Sequence, residues 1–462
     1  MRTEVYEYHS PVFATRSMVA VVVVVIVAAG CAGDSDAYEG GTPGATRPGG
    51  ETTVEASGTQ AFSLPASNLD AEGLARFRVG DRFFTDPWLA APAPQDDRDG
   101  LGPTYLADSC IGCHVAVGKA PAPQGDVVRG ALIRIGRSGG SYGPQIQDHS
   151  VGAVPAEAQI AVWYREEVGT FEDGTGYTLR RPVLDVRNQA FGDVAEGGSV
   201  RVAQHLIGLG LLEAISAEAI QRAADPEDAD GDGVSGRASV VGSGALNQET
   251  LGRFGWKATA ATVADQTAAA FHQDMGITSA LHPEENCPPP QTACAAAPTG
   301  GSPEIGESRF AAVVFYTQTL GVPARRRVED PAVIAGEALF HSLGCTACHT
   351  VVVTTGDHDV GAVAGQLIYP YTDLLLHDMG AGLASGHGEG SASAREWRTA
   401  PLWGIGLVSR VNPAAGFLHD GRARTLEEAV LWHGGESAEA RDGYRTLDAS
   451  DRRRVIAFLE SL

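Results

Sequence analysis

Three regimes of apolar and polar positions follow one another along this chain. Residues 18–29 form an unbroken apolar run of about a dozen residues, too short to span a bilayer comfortably. Residues 32–67 are rich in Gly, Ser, Thr, Ala and acidic side chains without apolar periodicity, which predicts a disordered tether. Beyond them helical spacing dominates. Residues 262–273 predict a helix stopped by Gly276, and residues 331–340 open with proline and place Val333, Ile334, Glu337 and Leu339 at near-helical spacing. Residues 426–433 follow a capping box made by Thr425 and Glu428 and end at Gly434, with Leu426, Ala429, Val430 and His433 on one face. Residues 450–462 begin with a capping Ser450 and carry Asp451 in the first turn. Val455, Phe458, Leu459 and Leu462 then fall at i, i+3, i+4 and i+7. The pattern predicts a mainly α-helical fold.

Length then divides the chain. At 462 residues it exceeds what one core usually fills, since cores stop growing near ~250 to 300 residues. Two ordered domains are expected, 68–325 and 326–462, the first elaborated with long loops and insertions. Before them, residues 1–30 read as a signal peptide and 31–67 as the tether. The formal charge of −23 argues against nucleic acid and suits a basic docking partner. Val27-Ala28-Ala29-Gly30-Cys31 resembles a lipobox, which predicts lipid on Cys31 and a protein anchored to a membrane, facing the periplasm or the outer surface. An ordinary signal peptide with a chance cysteine is the alternative; either way the chain is exported.

Cysteine spacing carries the chemistry. Cys110-Ile111-Gly112-Cys113-His114 and Cys345-Thr346-Ala347-Cys348-His349 both fit C-x-x-C-H, in which two thiols add across haem vinyl groups and the histidine ligates iron. One match alone is also compatible with a redox dithiol or half a zinc site; two in an exported chain favour covalent haem. Gly80-x-x-x-Phe84 precedes the first motif and Gly336-x-x-x-Phe340 the second, a weak internal repeat that reads as two related haem units. Cys287 and Cys294, left over and seven residues apart, predict a disulfide in an oxidising compartment, with a redox-active pair as the alternative. Asp228-x-Asp230-x-Asp232-Gly233 matches the first half of an EF-hand calcium loop, although Ser239 stands where the closing glutamate belongs.

At this point the sequence resembles the bacterial di-haem oxidoreductases, a family of peroxidase type also labelled thiol oxidoreductases, from about Leu74 to the end. The resemblance is carried by Gly102-Pro103, Leu179-Arg180-Arg181-Pro182, residues 207–213, residues 252–257, residues 274–278 and residues 376–380. Arg398 to Trp403, residues 417–421 and residues 425–430 are similar to the corresponding run of bacterial di-haem cytochrome c peroxidases. The resemblance implies one fully ligated haem that relays electrons and one where peroxide binds.

His114 and His349 are the expected proximal ligands. His433 and Met379 are candidate distal ligands of the C-terminal haem, Met275 is a further candidate iron ligand, and His419 is the third candidate for the C-terminal haem or a group that orients a ligand there. In the peroxidases a methionine ligand occupies what looks like the position of His433. No histidine or methionine follows His114 for the next thirty residues, which is compatible with an open iron. Glu157, Arg180, Arg181 and Glu213 are candidate acid-base or charge-stabilising groups. Trp256, Trp397 and Trp403 are candidate electron bridges. The reading that results is peroxide reduction by a small cytochrome or cupredoxin through two haems. Its rivals are a plain electron-transfer cytochrome and a di-haem oxidase of a protein or small molecule.

Overall fold

The computed structural model describes residues 38, 40–94, 97–136, 140–194 and 198–462; the apolar run and Cys31 lie outside the described residues. Helix α1 (Ala71–Thr85) is capped by Asp70, whose carboxylate accepts from the Gly73 N–H at 2.8 Å. Helix α2 (Val263–Met275) is capped by the Thr262 hydroxyl and stopped at Gly276, whose φ of 67° is left-handed. Helices α3 (Glu307–Gln318), α4 (Pro331–Ser342), α5 (Leu426–Leu431) and α6 (Ala449–Ser461) follow. The cap of α6 is Asp448 rather than Ser450, and α5 stops before His433, which follows the helix.

Two helix crossings repeat. Gly80 of α1 lies so close to the carbonyl of Ala312 on α3 that a Cβ has no room, and Gly336 of α4 meets the carbonyl of Arg454 on α6 in the same way. One helical turn on from each glycine, Phe84 and Phe340 turn towards the motif histidines, with ring centroids 6.2 Å from His114 and 6.1 Å from His349. The sequence repeat is therefore a structural one: a glycine for contact of two helices, then an aromatic against the imidazole.

Between the first motif and α2 the chain is built from strands, which corrects the mainly α-helical expectation. Helix accounts for 31% of the chain and strand for 19%, in many small sheets. Strand β1 (Ala131–Arg134) is central in an antiparallel sheet with β2 (Gln145–Ile146) and β5 (Ser199–Val202) on its flanks. Strands β3 (Gln159–Thr170) and β4 (Gly176–Arg187) form a long hairpin in register from Gln159 opposite Arg187 to Thr170 opposite Gly176. Ile133, Ile146, Ile160, Val162, Val200 and Val202 form the core of this insertion. Farther on, β6 (Leu376–Asp378) pairs with β7 (Glu396–Arg398). The fold is mixed α and β.

The predicted tether also changes. From Gly40 onward it is packed, with Phe62 fully buried, the Val54 N–H donating to Val322 O at 2.9 Å and the Ala66 N–H to Thr319 O at 2.8 Å. Its anchors are backbone hydrogen bonds and a few isolated apolar side chains, which leave no periodic trace in sequence. The predicted boundary at 325/326 is crossed by a buried ion pair, Arg325 to Glu337 at 2.9 Å, and one apolar core includes residues from both sides. Among the described residues no helix is long and apolar enough to cross a membrane.

Candidate functional site

Each Cys-x-x-Cys-His motif folds as a single tight turn: the His114 N–H donates to Cys110 O at 2.9 Å and the His349 N–H to Cys345 O at 3.0 Å. Each turn sets two thiols and an imidazole on the wall of one cavity, about 470 Å³ for the N-terminal motif and about 490 Å³ for the C-terminal one. Both fall within the ~300–1,000 Å³ of cofactor sites. His114 Nδ1 donates to Gln204 O at 2.6 Å and His349 Nδ1 to Tyr371 O at 2.8 Å, which leaves each Nε2 with its lone pair. Burial pushes both imidazoles down to about 4, so they stay neutral, as metal ligands must be. Burial also raises the motif thiols, Cys110 and Cys345 to about 12, and none of the four is in a disulfide.

The two cavities share a wall made by Gln204, His205, Leu209, Phe254, Trp256 and Arg398. Gln204 serves both sides: its carbonyl holds His114, and its Oε1 accepts from Arg398 at 3.0 Å. Trp256 is fixed by its indole N–H on Val202 O at 2.9 Å. His205 Nδ1 is buried without a hydrogen-bond partner, a condition that native structures rarely leave unanswered. An orphaned polar atom beside two apolar cavities, each with two thiols and a free imidazole nitrogen, fits a porphyrin whose only polar edge is its carboxylates.

The C-terminal cavity holds two further ligand types. His433 Nδ1 donates to Ala429 O at 2.8 Å, so its Nε2 is free, and Met379 Sδ accepts from Ser437 Oγ at 3.7 Å. His419 lines the same cavity and lies on Trp397. His377, 3.6 Å from Cys348 Sγ, is clamped between Asp373 at 2.9 Å and Glu436 at 2.8 Å. Burial alone would lower its pKa, but the two carboxylates overcome this and raise it to about 12. The paired carboxylates thus favour the charged form of His377 beside the motif.

The N-terminal cavity is lined differently, by Arg134, Gln145, Arg201, Lys257, Glu389 and Met275. Glu389 joins the two arginines, 2.6 Å from Arg201 and 3.4 Å from Arg134. Burial opposes its ionisation, yet Arg201 and Arg134 hold its carboxyl below the usual range. Gln145 is aimed by its amide on Asp274 Oδ1 at 2.8 Å. Met275, expected for either haem, lines this cavity and not the C-terminal one.

The remaining candidates fall elsewhere. Glu157 lines neither cavity; it accepts from the Gln147 N–H at 2.6 Å and the Gln291 amide at 2.5 Å, tying the β insertion to the loop of the Cys287–Cys294 disulfide. Arg180 donates to the carbonyls of Arg422 and Gly421 and covers Tyr164, while Arg181 pairs with Glu167 at 2.6 Å and covers Trp432. Both are braces of the hairpin, away from the cavities. Glu213 holds the start of α2 and Gln318. Trp403 is buried outside both cavity walls, whereas Trp256 and Trp397 lie in them. Asp228, Asp230 and Asp232 bring carboxylate oxygens within 4.8 Å of one another, while Ser239 points inward to Ala258 O.

His377 lies in the segment 376–380 that carries the resemblance, though no role was expected of it, whereas Gln204, His205, Arg134, Gln145, Arg201 and Glu389 had no part in the sequence-based expectations. They come from short segments between motifs; a charged Arg201 in the otherwise small and apolar Ser199–Val202 strand is the one local signal.

These features define a protein with two linked cofactor sites. Residues 43–140 and 120–462 match the family described as "Di-haem oxidoreductase, putative peroxidase", and the chain belongs to this family of di-haem oxidoreductases. No curated protein matches the sequence.

Proposed function

We propose that the chain is an exported c-type di-haem peroxidase, with thioether attachment at Cys110/Cys113 and Cys345/Cys348 and with a lipid at Cys31. The observation that carries this reading is the contrast between the cavities. The C-terminal one offers His433 with a free Nε2 opposite the role of His349, and Met379 beside it, as an electron-carrying site requires. The N-terminal one offers guanidinium, carboxylate and amide groups suited to a polar oxidant. When bound, the two irons supply electron storage and the cleavage of the peroxide O–O bond.

The residues then have distinct tasks. Arg201 and Arg134 present fixed positive charge where negative charge develops on oxygen, and Glu389 keeps both guanidiniums aimed. Gln145 spends its amide donors on Asp274 Oδ1 and Gln273 O, so its Oε1, which also accepts from Arg134 at 3.4 Å, is the atom left to accept from a bound peroxide. Trp256 and Gln204 give electrons a short route through the shared wall, and a small cytochrome or cupredoxin is the donor. Calcium at Asp228, Asp230 and Asp232 is the accessory proposal. The loop leads through Ser235 to Glu436, the partner of His377, so chelation should perturb the C-terminal site.

One observation favours a second reading. Met275 lines the N-terminal cavity, and ligation there makes both irons six-coordinate and the protein an electron carrier. Low-temperature EPR of the fully ferric and half-reduced holoprotein, together with peroxide turnover, separates the two. A high-spin signal in either state with turnover supports the peroxidase; low-spin signals throughout without turnover overturn it.

A further inference from the structure

The chain carries 34 basic against 57 acidic residues, yet one surface groove inverts that balance. A groove of about 1290 Å³ runs between the start of β4, the residues before α4, α5 and α6. Six arginines line it, Arg326, Arg327, Arg410, Arg424, Arg452 and Arg453, against three glutamates, Glu427, Glu428 and Glu460. Some of this charge is internally matched. Arg424 pairs with Glu428 at 2.7 Å, Arg327 with Glu460 at 3.5 Å and Arg452 with Asp173 at 2.8 Å. Arg410 and Arg453 are exposed and have no ion pair among the described residues. Arg326 Nη1 is buried without a partner, and burial together with the neighbouring Arg327 and Arg410 brings its guanidinium down to about 10.

The floor of the groove is the second observation. Ile405, Phe417 and Leu426 line both the groove and the C-terminal cavity, so one layer of apolar side chains separates the arginines from the site read above as the electron carrier. Unpaired positive charge in a groove of an otherwise acidic molecule favours an acidic partner there over a basic one. Apolar contact over a thin wall is where electron transfer gains most from docking.

We propose that this groove is the docking surface for an acidic electron-donor protein. The proposal rests on the reading that electrons enter at the C-terminal haem, and it replaces the basic partner that net charge alone suggests. Each encounter moves one electron: the partner's metal centre is oxidised and the C-terminal haem iron goes from ferric to ferrous, with no proton or group transferred.

The test uses the full-length holoprotein with reduced plant-type ferredoxin as the acidic probe, a donor reducing enough to make the transfer downhill. Reduced methyl viologen serves as a small control. Arg410→Glu/Arg453→Glu removes no ion pair, so the fold has no partner to lose. Stopped-flow reduction by ferredoxin at low salt should slow about tenfold in the variant and on raising salt to about 0.3 M, whereas the variant should not slow reduction by methyl viologen, itself a cation. Equal rates and equal calorimetric affinities for ferredoxin in wild type and variant overturn the docking surface. Affinity lost in the variant while ferredoxin still reduces the C-terminal haem at the wild-type rate upholds docking but overturns electron entry through it. Self-association of the wild type that the variant abolishes, with ferredoxin unaffected, assigns the groove to a second copy and overturns the proposal.

Discussion

His419 lies flat on Trp397, their ring centroids 3.7 Å apart and their planes within 12°. Lys257 and Arg201 also sit over the Trp397 indole, at 3.9 and 4.4 Å, and burial pushes His419 down to about 4. A neutral ring packed in this way works as part of the wall. His419 Nε2 also lies 3.3 Å from the buried Asp420 carboxylate, so His419→Phe should cost about 1–2 kcal/mol by removing that partner, and His419→Ala about 3 kcal/mol or more by opening a cavity as well. Denaturant titration measures both, and neither variant should change the number of low-spin EPR signals.

On the proposed reading, His433 and Met379 compete to ligate the iron of the C-terminal site. With His433 as the second axial ligand, His433→Ala should turn one low-spin signal high-spin, while Met379→Leu should leave it in place. The reverse result makes Met379 the ligand.

Glu389 is the joint between Arg134 and Arg201 in the N-terminal cavity. Glu389→Gln should loosen both guanidiniums and lower kcat for peroxide by about 10²-fold, with haem content unchanged by pyridine haemochrome assay. Glu157→Gln, outside both cavities, should leave kcat unaltered.

Glu157 has a different effect, on stability. Burial raises its carboxyl to about 7 against the donated hydrogen bonds of Gln291 and Gln147, so the folded chain binds this proton more tightly than the unfolded one. Its contribution is complete below about pH 4.5 and is lost as pH rises through about 7, a change of about 3 kcal/mol. Thermal unfolding midpoints measured from pH 5 to 8 should fall in the wild type and flatten in Glu157→Gln.

Gly80→Ala and Gly336→Ala each drive a Cβ into a carbonyl of the partner helix. Each should cost about 1–3 kcal/mol and lower the midpoint of unfolding, while alanine at Gly58, where nothing lies near, should not.

The parts of this molecule that follow local rules were legible in its sequence. The two Cys-x-x-Cys-His motifs, the Gly-x-x-x-Phe repeat and helices such as α2 and α6 are set by spacing within a dozen residues. The strands were hidden for a physical reason: the outer half of the β3–β4 hairpin is solvated, with Val168 largely exposed, so no alternation marks it. The packed segment before α1 is held by main-chain bonds such as Val54 to Val322, to which composition is blind. The site was half legible. Histidines adjacent to cysteines announce themselves, whereas Gln204, Arg201 and Glu389 gain their meaning only when remote segments meet. Conversely, Glu157 and Arg181 have the chemistry of catalysts and the positions of braces.

The shared wall bears on how such a molecule is made. The cavity beside Cys110 is complete only once Trp256, Glu389 and Arg398 have arrived, all of them far downstream of it. If thioether bonds form at Cys110 and Cys113 as proposed above, the attaching machinery must reach this motif before the fold closes. Maturation would then have an order, in which covalent chemistry on an open chain comes first and closure over both cavities follows as one event.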